Sequence, residues 1–328
     1  MSRPSVLVTG AAGYVGSLTL DALAARGDEV ADLVAVDVAE VAGERRLEGV
    51  TYAVADVSTD DLAGLMRDHA VDTVVHLASI LRVPPGAPDD LAYRVDVVGT
   101  RNVLEACVAA GVTTLVVTSS GAAYGYYADN PAALDEDDPL RGNEGIPYAH
   151  HKRLVEAMLA EYRESHPELA QLVLRAGTVV GERTSSPVTA LFEGPVVLGV
   201  WGSESPFVFI WDHDLVEVIL LGVLGGARGI VNLAGDGALS PREIARRLHK
   251  PYVPLPAPLL AGALWAAHAL GRTANGPDHV AFLRYRPVLS NRRLKEELGY
   301  HPVDSDAAFE RWRTGYEERR KAKRSAGS

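Results

Sequence analysis

Cysteine and basic residues are scarce in this sequence, and each shortage excludes a class of protein. A single cysteine, Cys107, among 328 residues excludes an internal disulfide and a zinc site made of thiolates. Lysine and arginine number 32 against 43 aspartates and glutamates, which gives a net charge of −11. A nucleic acid requires a basic face on its partner, and an anionic membrane surface attracts basic segments. We therefore predict neither kind of partner.

Long apolar runs are also missing. The most apolar stretch near the C-terminus covers residues 258–270. It is shorter than the roughly 20 residues that cross a bilayer, so it predicts a buried or interface helix rather than a membrane span. Residues 1–4 lead straight into an apolar strand without the apolar segment of a signal peptide. Together with the lone cysteine, these features predict a cytoplasmic protein.

The first half of the chain alternates short β-branched runs with helical stretches. Strands are predicted at residues 5–9, 33–38, 50–54, 73–77, 114–118 and 171–175, and helices at 14–26, 90–110 and 148–165. Strands that are apolar throughout and alternate with helices indicate a parallel sheet covered on both faces. Such a sheet binds its ligand at the carboxyl ends of its strands.

The second half loses this regular alternation. It contains separate segments, among them an aromatic one at residues 207–211 and a helix that a capping box opens at Ser240. We therefore predict an α/β protein with two domains. A doubly wound parallel sheet occupies residues 1–177, to which residues 207–235 add a strand and a helix. A smaller, discontinuous α/β substrate-binding cap occupies most of residues 178–328.

Three glycines follow the first predicted strand. Gly10, Gly13 and Gly16 open the first helix, where glycine permits a tight turn and the close approach of the backbone to a pyrophosphate. The helix N-terminus offers amide donors and the positive end of its dipole to the phosphates. Asp37 ends the second strand, where a carboxylate can hold the ribose hydroxyls of a dinucleotide, and Asp56 ends the third. The sequence therefore predicts a dinucleotide site on a Rossmann-type sheet.

Several motifs resemble those of the extended branch of the short-chain dehydrogenase/reductase family, which contains sugar-nucleotide epimerases and dehydratases. The motifs are Gly-x-x-Gly-x-x-Gly after Thr9, His76-Leu77-Ala78-Ser79, Val97-Val98-Gly99-Thr100-Arg101-Asn102-Val103-Leu104-Glu105-Ala106, Ser119-Ser120-Gly121-Ala122-Ala123-Tyr124-Gly125, Tyr148-Ala149-His150-His151-Lys152 and Leu298-Gly299-Tyr300-x-Pro302. The resemblance spans nearly the whole chain and is strongest over residues 5–181.

This resemblance implies NAD as the cofactor and a set of residues that bind it. They are Gly10, Ala12, Gly13, Tyr14, Val15, Gly16, Asp37, Asp56, Val57, Leu77, Ala78, Ser79, Tyr148, Lys152, Ala176, Thr178 and Val179. We expect NAD rather than NADP, because the Asp37 carboxylate would repel a 2′-phosphate. No arginine or lysine lies in the glycine turn or immediately after Asp37 to compensate.

Tyr148 and Lys152 are four residues apart on a predicted helix and so share one of its faces. A lysine ammonium beside a phenol favours the phenolate. A phenolate can take a proton from an alcohol while hydride moves to a nicotinamide. The resemblance implies this role for Tyr148, ribose binding for Lys152, and a hydrogen bond from Ser120 to the reacting oxygen, with Ser119 as the alternative. It also implies an asparagine where this chain has Asp96.

No metal site is expected. His150 and His151 are adjacent and point to different faces of a helix, so they cannot chelate one ion well. The segment Asp212-His213-Asp214 lies where aspartates cap a helix. The acidic run at residues 135–138 is interpreted as a solvated loop.

The resemblance is weaker on the substrate side. Epimerases of UDP-sugars carry an asparagine after the sixth strand and an arginine on the diphosphate, and the matching positions here are Thr178 and Phe207. With Trp201, Phe209 and Trp211 nearby in the sequence, these differences favour an apolar pocket. The alternative is that the aromatic residues belong to the core or to a dimer contact. The predicted substrate residues are Leu81, Ser119, Ser120, Tyr124, Trp201 and Phe207.

We therefore expect an NAD-dependent oxidoreductase that acts on a small molecule, a secondary alcohol or ketone of apolar character. The alternative is a nucleotide-sugar 4-epimerase or dehydratase, because Arg82, Arg183, Arg284 and Arg286 can still supply a phosphate site. A non-catalytic dinucleotide sensor is disfavoured by the complete set of serine, tyrosine and lysine.

A homodimer is expected as well. Members of the family commonly pair two helices of each subunit, and the matching segments here are residues 90–110 and 148–165. Apolar residues beyond those that a sheet face requires lie on both segments: Leu91, Val95, Val98, Val103, Leu154 and Met158.

Overall fold

The computed structural model describes residues 3–84, 86–271, 273 and 276–326. Strands and helices alternate in the first half: β1 (Ser5–Thr9), α1 (Tyr14–Ala24), β2 (Asp32–Asp37), β3 (Thr51–Val54), α2 (Leu62–Asp68), β4 (Thr73–His76), α3 (Leu91–Tyr93), a π-helical turn (Arg94–Val98), α4 (Gly99–Ala110), β5 (Thr114–Ser120), α5 (Pro147–Ser165) and β6 (Ala170–Ala176). The second half contains β7 (Thr178–Val180), α6 (Ala190–Glu193), β8 (Val197–Val200), β9 (Phe209–Trp211), α7 (Asp212–Val223), β10 (Gly229–Leu233), α8 (Pro241–Arg247), β11 (Tyr252–Leu255), α9 (Ala257–Ala269), α10 (His279–Arg284), α11 (Arg292–Leu298) and α12 (Ser305–Ala326).

Two compact units share these elements. Unit 1 consists of Met1–Ser120, His151–Arg175 and His213–Val231, and unit 2 consists of Gly121–His150, Ala176–Asp212 and Asn232–Ser328. Each unit is therefore assembled from three separate stretches of chain. The helix α5 begins in unit 2 and continues in unit 1.

A parallel sheet forms the centre of unit 1. The order of its seven strands is β10-β6-β5-β4-β1-β2-β3. β1 pairs in parallel with β2 on one side and with β4 on the other, so that Val6 lies beside both Leu33 and Thr73. The strand order reverses between β1 and β4, which is where sheets of this kind bind their ligand. The predicted α/β class and the doubly wound parallel sheet are confirmed.

Aliphatic side chains form the core of unit 1. They come from one face of the sheet, where Leu7 lies beside both Val34 and Val74, and from the helices that cover that face, among them Leu104, Val155 and Leu159. One ion pair is buried in the same unit. Arg175 Nε donates to Glu156 Oε1 at 2.9 Å, and Arg175 Nη2 donates to Glu156 Oε2 at 3.1 Å. These two hydrogen bonds pair the guanidinium with the carboxylate and compensate for the water that both charges have lost.

The long helix predicted at residues 90–110 is interrupted. The π-helical turn Arg94–Val98 separates α3 from α4. The helix then ends where expected, at Gly111, whose φ of 74° is the left-handed conformation that commonly closes a helix. A π-helical turn spans one more residue than an α-helical turn, and the hydrophobic pattern alone does not reveal that extra residue.

Aromatic side chains form the core of unit 2. The ring of Phe192 lies edge-on to that of Phe207 with their centres 4.8 Å apart, and Trp312 stacks on Tyr316 at 5.4 Å. Around this cluster lie two small parallel sheets, β7 with β9 and β8 with β11. All five phenylalanines and all four tryptophans of the chain belong to unit 2.

The apolar stretch near the C-terminus forms α9. Leu260 packs on Val200 and Val280, whereas Leu259 and Trp265 stay 59% and 65% exposed. The helix is therefore only partly buried, which leaves the interface interpretation open and excludes the fully buried one. Within the described residues, no helix combines the length and the apolar character that a membrane crossing requires.

Candidate active site

The glycine turn connects β1 to α1 in unit 1. Gly10 has a φ of +70°, and a Cβ atom there would lie 2.7 Å from Ala78 N. A Cβ atom on Gly16 would lie 2.1 Å from Gly10 O, so both positions require glycine. α1 begins at Tyr14, after Gly13, without a side-chain cap. The positive end of an 11-residue helix therefore lies at the carboxyl end of β1.

Two acidic residues follow the neighbouring strands β2 and β3. Asp37 Oδ2 accepts a hydrogen bond from Ala12 N at 2.9 Å, and Asp37 Oδ1 accepts one from Ala39 N at 3.0 Å. These bonds fix the carboxylate against the glycine turn. Asp56 Oδ1 accepts bonds from Ser58 N and Ser58 Oγ, and the bond from the Ser58 hydroxyl is the main cause that lowers the pKa of Asp56. Both predicted cofactor residues thus lie at the carboxyl edge of the sheet.

The other cofactor residues predicted in unit 1 lie at the same edge. Tyr14 and Val15 form the start of α1. The remaining ones follow β3 or β4 directly: Val57, Leu77, Ala78 and Ser79.

His76 ends β4 and is fully buried. Its Nδ1 lies 2.7 Å from Thr9 Oγ1, and its Nε2 lies 3.0 Å from Thr100 Oγ1. Since the Thr100 hydroxyl donates to Asp96 O at 2.6 Å, its oxygen is left to accept from Nε2. Burial lowers the pKa of His76 to about 3. His76 is therefore a neutral link between β1, β4 and the long helix.

Lys152 is buried on α5. Its Nζ donates to Thr118 O in β5 at 3.3 Å. β5 ends in two serines: the hydroxyl of Ser119 is buried and has no hydrogen-bond partner among the described residues, whereas Ser120 is half-buried. Tyr148 lies one helical turn before Lys152 on α5, so the two side chains share one face of that helix.

Tyr148 packs in unit 2 against a small cluster that includes Ala122, Tyr126 and Phe282. The rings of Tyr126 and Phe282 meet edge-on at 5.2 Å. Burial is the main cause that raises the pKa of Tyr126, and the neighbouring Tyr148 adds to it. Tyr126 is therefore a neutral phenol beside Tyr148. The sequence analysis did not predict this contact, because the spacing between Tyr124 and Tyr126 does not indicate that Tyr126 lies beside Tyr148.

Arg286 extends this cluster. Its guanidinium carbon lies 3.6 Å from the centre of the Phe207 ring and 4.7 Å from that of Phe282. Nη1 donates to Ser205 O at 2.6 Å and to Ser205 Oγ at 3.0 Å. Burial lowers the pKa of Arg286 to about 9, against the opposing effect of Tyr126. The guanidinium therefore remains charged at neutral pH.

A cavity of about 320 Å³ lies in unit 2 beside Phe207 and Arg286. This volume is at the lower end of the range for small-molecule sites. Most of its other walls are apolar: Ala190, Leu191, Phe192, Pro195, Val196, Val197, Leu198, Pro241 and Leu283. Among the described residues that line it, Arg286 is the only charged one.

Two predicted substrate residues of unit 2, Trp201 and Tyr124, do not line this cavity. Trp201 is 62% exposed and lines a separate depression of about 350 Å³ in unit 2. Tyr124 is fully buried, and its hydroxyl shares its one proton between Asp135 O and Asn232 Oδ1, which each lie 2.9 Å away. Leu81 lies in unit 1 and is exposed. Sequence proximity to a motif did not indicate which way these side chains would turn.

The segment after β6 carries three predicted cofactor residues. Ala176 ends β6, and Thr178 and Val179 form the start of β7. Thr178 pairs with Phe209 of β9. Phe207, Phe209 and Trp211 are buried in the aromatic core, so for these three residues the alternative assignment to the core is correct. The described residues include no group of three histidine, cysteine or acidic side chains that could hold a metal ion.

Comparisons with known proteins identify the family of this chain. A model of the NAD dependent epimerase/dehydratase family matches residues 6–220. An uncharacterized protein of Mycobacterium tuberculosis is 26% identical over 304 residues, which cover 90% of this chain and 80% of that protein. A UDP-glucose 4-epimerase of Mycolicibacterium smegmatis is 30% identical over 313 residues, which cover 90% of this chain and 93% of that enzyme.

Solved structures show the same fold. The crystal structure of a UDP-glucose 4-epimerase from Thermus thermophilus, a complex with NAD, has a TM-score of 0.69 at 26% identity, and the match covers 94% of this chain and 99% of that one. The family model alone matches more than half of the chain. The chain is therefore an enzyme of the NAD dependent epimerase/dehydratase family.

Proposed function

We propose that this enzyme transfers hydride between NAD and the carbon of a secondary alcohol or ketone, and that its substrate is largely apolar. The observation that carries the proposal is the cavity beside Phe207, whose charged lining is limited to Arg286 among the described residues. Tyr148 lies in the same unit and packs against Tyr126 and Phe282. Phe282 in turn contacts Arg286, so contacts within unit 2 connect the acid–base residue to the cavity wall.

The residues of unit 1 fit a dinucleotide. Side chains on Gly10 or Gly16 would collide with neighbouring backbone, so glycine allows the tight turn that brings the N-terminus of α1 to the carboxyl end of β1, where a pyrophosphate would bind. Asp37, held by Ala12 N, would accept hydrogen bonds from the ribose hydroxyls. When bound, NAD supplies the centre that accepts or donates the hydride.

Tyr148 would exchange a proton with the substrate oxygen. In oxidation its phenolate accepts the proton of the alcohol, and in reduction its phenol donates a proton to the carbonyl oxygen. The Lys152 ammonium, one helical turn away, stabilises the phenolate. We assign the hydrogen bond to the reacting oxygen to Ser120, because the Ser119 hydroxyl is buried.

The walls of the cavity favour an apolar substrate for a physical reason. Apolar surface removed from water contributes roughly 25 cal/mol per Å². A diphosphate brought between the same walls would lose its hydration and find few hydrogen-bond donors in return. Arg286 is hydrogen-bonded to Ser205 and stacked on Phe207. It therefore offers a diphosphate one cationic side chain, and not the two that would hold both phosphates.

A nucleotide-sugar 4-epimerase or dehydratase is the second candidate. Arg286 favours it, because a guanidinium on a cavity wall is a strong phosphate-binding group. The relative from Mycolicibacterium smegmatis, which matches over nearly its whole length, is named a UDP-glucose 4-epimerase. Both candidates use Tyr148 and Lys152 in the same way, so only the substrate and the fate of the cofactor distinguish them.

A homodimer formed through the helices around α4 and α5 is part of the proposal. Val103 and Met158, two of the six residues expected at its interface, are buried in the core of unit 1. The interface would therefore use the four that stay partly exposed, which are Leu91, Val95, Val98 and Leu154.

Two measurements on the purified protein separate the candidates. Calorimetry with UDP and UDP-glucose measures nucleotide binding, and NAD reduction against secondary alcohols of increasing apolar size measures turnover. We expect NAD to exchange freely, activity to rise with the apolar area of the alcohol, and UDP to bind no more tightly than millimolar. Tyr148→Phe provides the inactive control. Micromolar UDP binding, tightly retained NAD and no net NAD reduction would instead support the epimerase.

A further inference from the structure

The π-helical turn of unit 1 places one acidic side chain inside the protein. Asp96 lies in the middle of Arg94–Val98 and is 1% exposed. π-helical turns are rare, and most of them occur as single turns within longer helices, frequently at functional sites. The extra residue of this turn changes the face on which the following side chains lie. The buried Asp96 carboxylate therefore lies on a type of turn that is frequent at functional sites.

Both oxygens of the Asp96 carboxylate have partners. Oδ1 accepts hydrogen bonds from Ser79 Oγ at 2.8 Å and from Ile80 N at 3.0 Å. Oδ2 lies 3.4 Å from His151 Nδ1 on α5, and the ring of His151 meets that of Tyr93 edge-on at 5.5 Å. An ionised carboxylate only accepts hydrogen bonds, and all three neighbours are able to donate.

Two elements bring titratable groups near Asp96: α5 contributes His151 and Lys152, and the strand β4 contributes His76. Burial raises the pKa of Asp96, but the bond from His151, the charge of Lys152 and the bonds from Ser79 and Ile80 outweigh it and hold that pKa below its usual value. His76 is neutral, since burial lowers its pKa to about 3. The carboxylate is thus ionised at neutral pH beside the Lys152 ammonium.

A buried charge at this position destabilises the folded protein unless other interactions compensate for the lost hydration. Taking a carboxylate out of water costs several kcal/mol per ion, even in real proteins. An asparagine has the same shape, and its carbonyl oxygen would accept the bonds from Ser79 and Ile80 without that cost. What an asparagine would lack is the negative charge, and the cation that interacts with this charge is the Lys152 ammonium.

We propose that Asp96 is a positioning residue whose charge, oriented by His151, offsets the ammonium of Lys152 and so sets the pH range in which Tyr148 exchanges its proton. The inference rests on the proposed function, because it assigns the proton exchange to Tyr148. Asp96 acts through Lys152, which lies one helical turn from Tyr148 on α5. Without the carboxylate, the ammonium is less compensated and stabilises the phenolate more strongly.

The test replaces Asp96 by two neutral residues of different shape, Asp96→Asn and Asp96→Ser. The first readout is the phenolate absorbance during a pH titration of the NAD-loaded protein, corrected with the Tyr148→Phe variant, and it needs no substrate. We expect the transition that depends on Tyr148 to move to lower pH by about one unit in both variants. The second readout is the pH profile of kcat/KM, whose limbs should move in the same direction. Thermal unfolding checks that each variant is folded.

Glu105→Gln is the matched control. Glu105 is an exposed acid on α4, so its neutralisation removes the same charge without touching Lys152, and we expect both curves to stay in place. An unmoved transition in the two Asp96 variants would refute the proposal, and so would an equal movement in Glu105→Gln. If the phenolate transition moves but no alcohol is oxidised, the role of Asp96 stands and the proposed function fails.

Discussion

Different side chains fill the two units of this enzyme. Unit 1 contains neither phenylalanine nor tryptophan in its sequence, and valine and leucine pack its sheet against its helices. Unit 2 contains all nine of those large aromatic residues. A parallel sheet repeats one geometry, which β-branched side chains fill strand by strand. In the part of unit 2 that the structure describes, the sheets are two-stranded, and large rings bury more area per residue in such an irregular frame. The local sequence pattern therefore specifies the fold of unit 1, whereas contacts between residues far apart in the chain specify the fold of unit 2.

The largest expected effect concerns Tyr148, whose loss should separate turnover from cofactor binding. The replacement Tyr148→Phe removes the proton-transfer group but leaves the ring packed in unit 2, so kcat/KM should fall about 10²- to 10⁴-fold. The dissociation constant of NAD, measured by fluorescence titration, should change little, because the glycine turn and Asp37 belong to unit 1.

Tyr127→Phe is the control for that experiment. Its hydroxyl donates to Gly142 O in unit 2, and Tyr127 is not a member of the cluster around Tyr148, so the loss of this hydroxyl should leave turnover unchanged. Normal turnover in Tyr148→Phe would show that the catalytic residue is another one.

The buried ion pair tests the description of unit 1 as an aliphatic core. In Glu156→Ala the Arg175 guanidinium, 4% exposed, loses its carboxylate, and the free energy of unfolding should fall by about 3–5 kcal/mol. Urea unfolding measures this loss. Glu161→Ala removes an exposed acid from the same helix and should stay within about 0.5 kcal/mol of the parent. Similar values for both variants would mean that water reaches the pair.

Cofactor choice should depend on unit 1 alone. We expect NAD to bind at least about tenfold more tightly than NADP, since two like charges about 4 Å apart repel by about 1–4 kcal/mol between bulk water and a protein surface. Asp37→Asn should reduce this preference. Asp32→Asn, at the opposite end of the same strand β2, should leave it unchanged. Equal binding of both cofactors by the parent enzyme would contradict the assignment of Asp37.

The smallest expected effect concerns the surface of unit 1. Val98 is 37% exposed, and Val98→Glu should weaken the proposed dimer while stability changes by no more than about 0.5 kcal/mol. Light scattering at micromolar concentration measures the mass of both proteins. If the parent enzyme is already monomeric, the proposed dimer interface on α4 and α5 does not exist.

The sequence predicted the strands and the glycine turn of unit 1 because their signals are local. Each strand is a continuous apolar run, and the glycine turn forces the backbone into a conformation that other residues cannot adopt, as Gly16 against Gly10 O illustrates. Tyr148 and Lys152 could be paired because four residues make one helical turn. The π-helical turn at Asp96 was missed, since one inserted residue hardly changes the hydrophobic pattern.

The substrate side could not be predicted to the same degree, because its contacts join residues far apart in the chain. Nothing in the sequence places Arg286 over Phe207, or buries Tyr124 while Trp201 stays exposed. The acidic run 135–138 was expected to be solvated. That expectation was wrong for Glu136, which is 4% exposed and accepts a hydrogen bond from Asn232 N at 2.6 Å. A side chain's charge alone does not indicate that a distant backbone amide needs an acceptor.

The single cysteine has a practical consequence for measuring how unit 1 opens. Cys107 is fully buried on α4, and burial raises the pKa of its thiol, so thiol reagents should not label the folded enzyme. A cysteine introduced on the surface, for instance in α9, would then carry a fluorophore or spin label as the only reactive site. Cys107 itself becomes accessible only when α4 leaves the sheet. The rate at which it is modified therefore measures how often unit 1 opens.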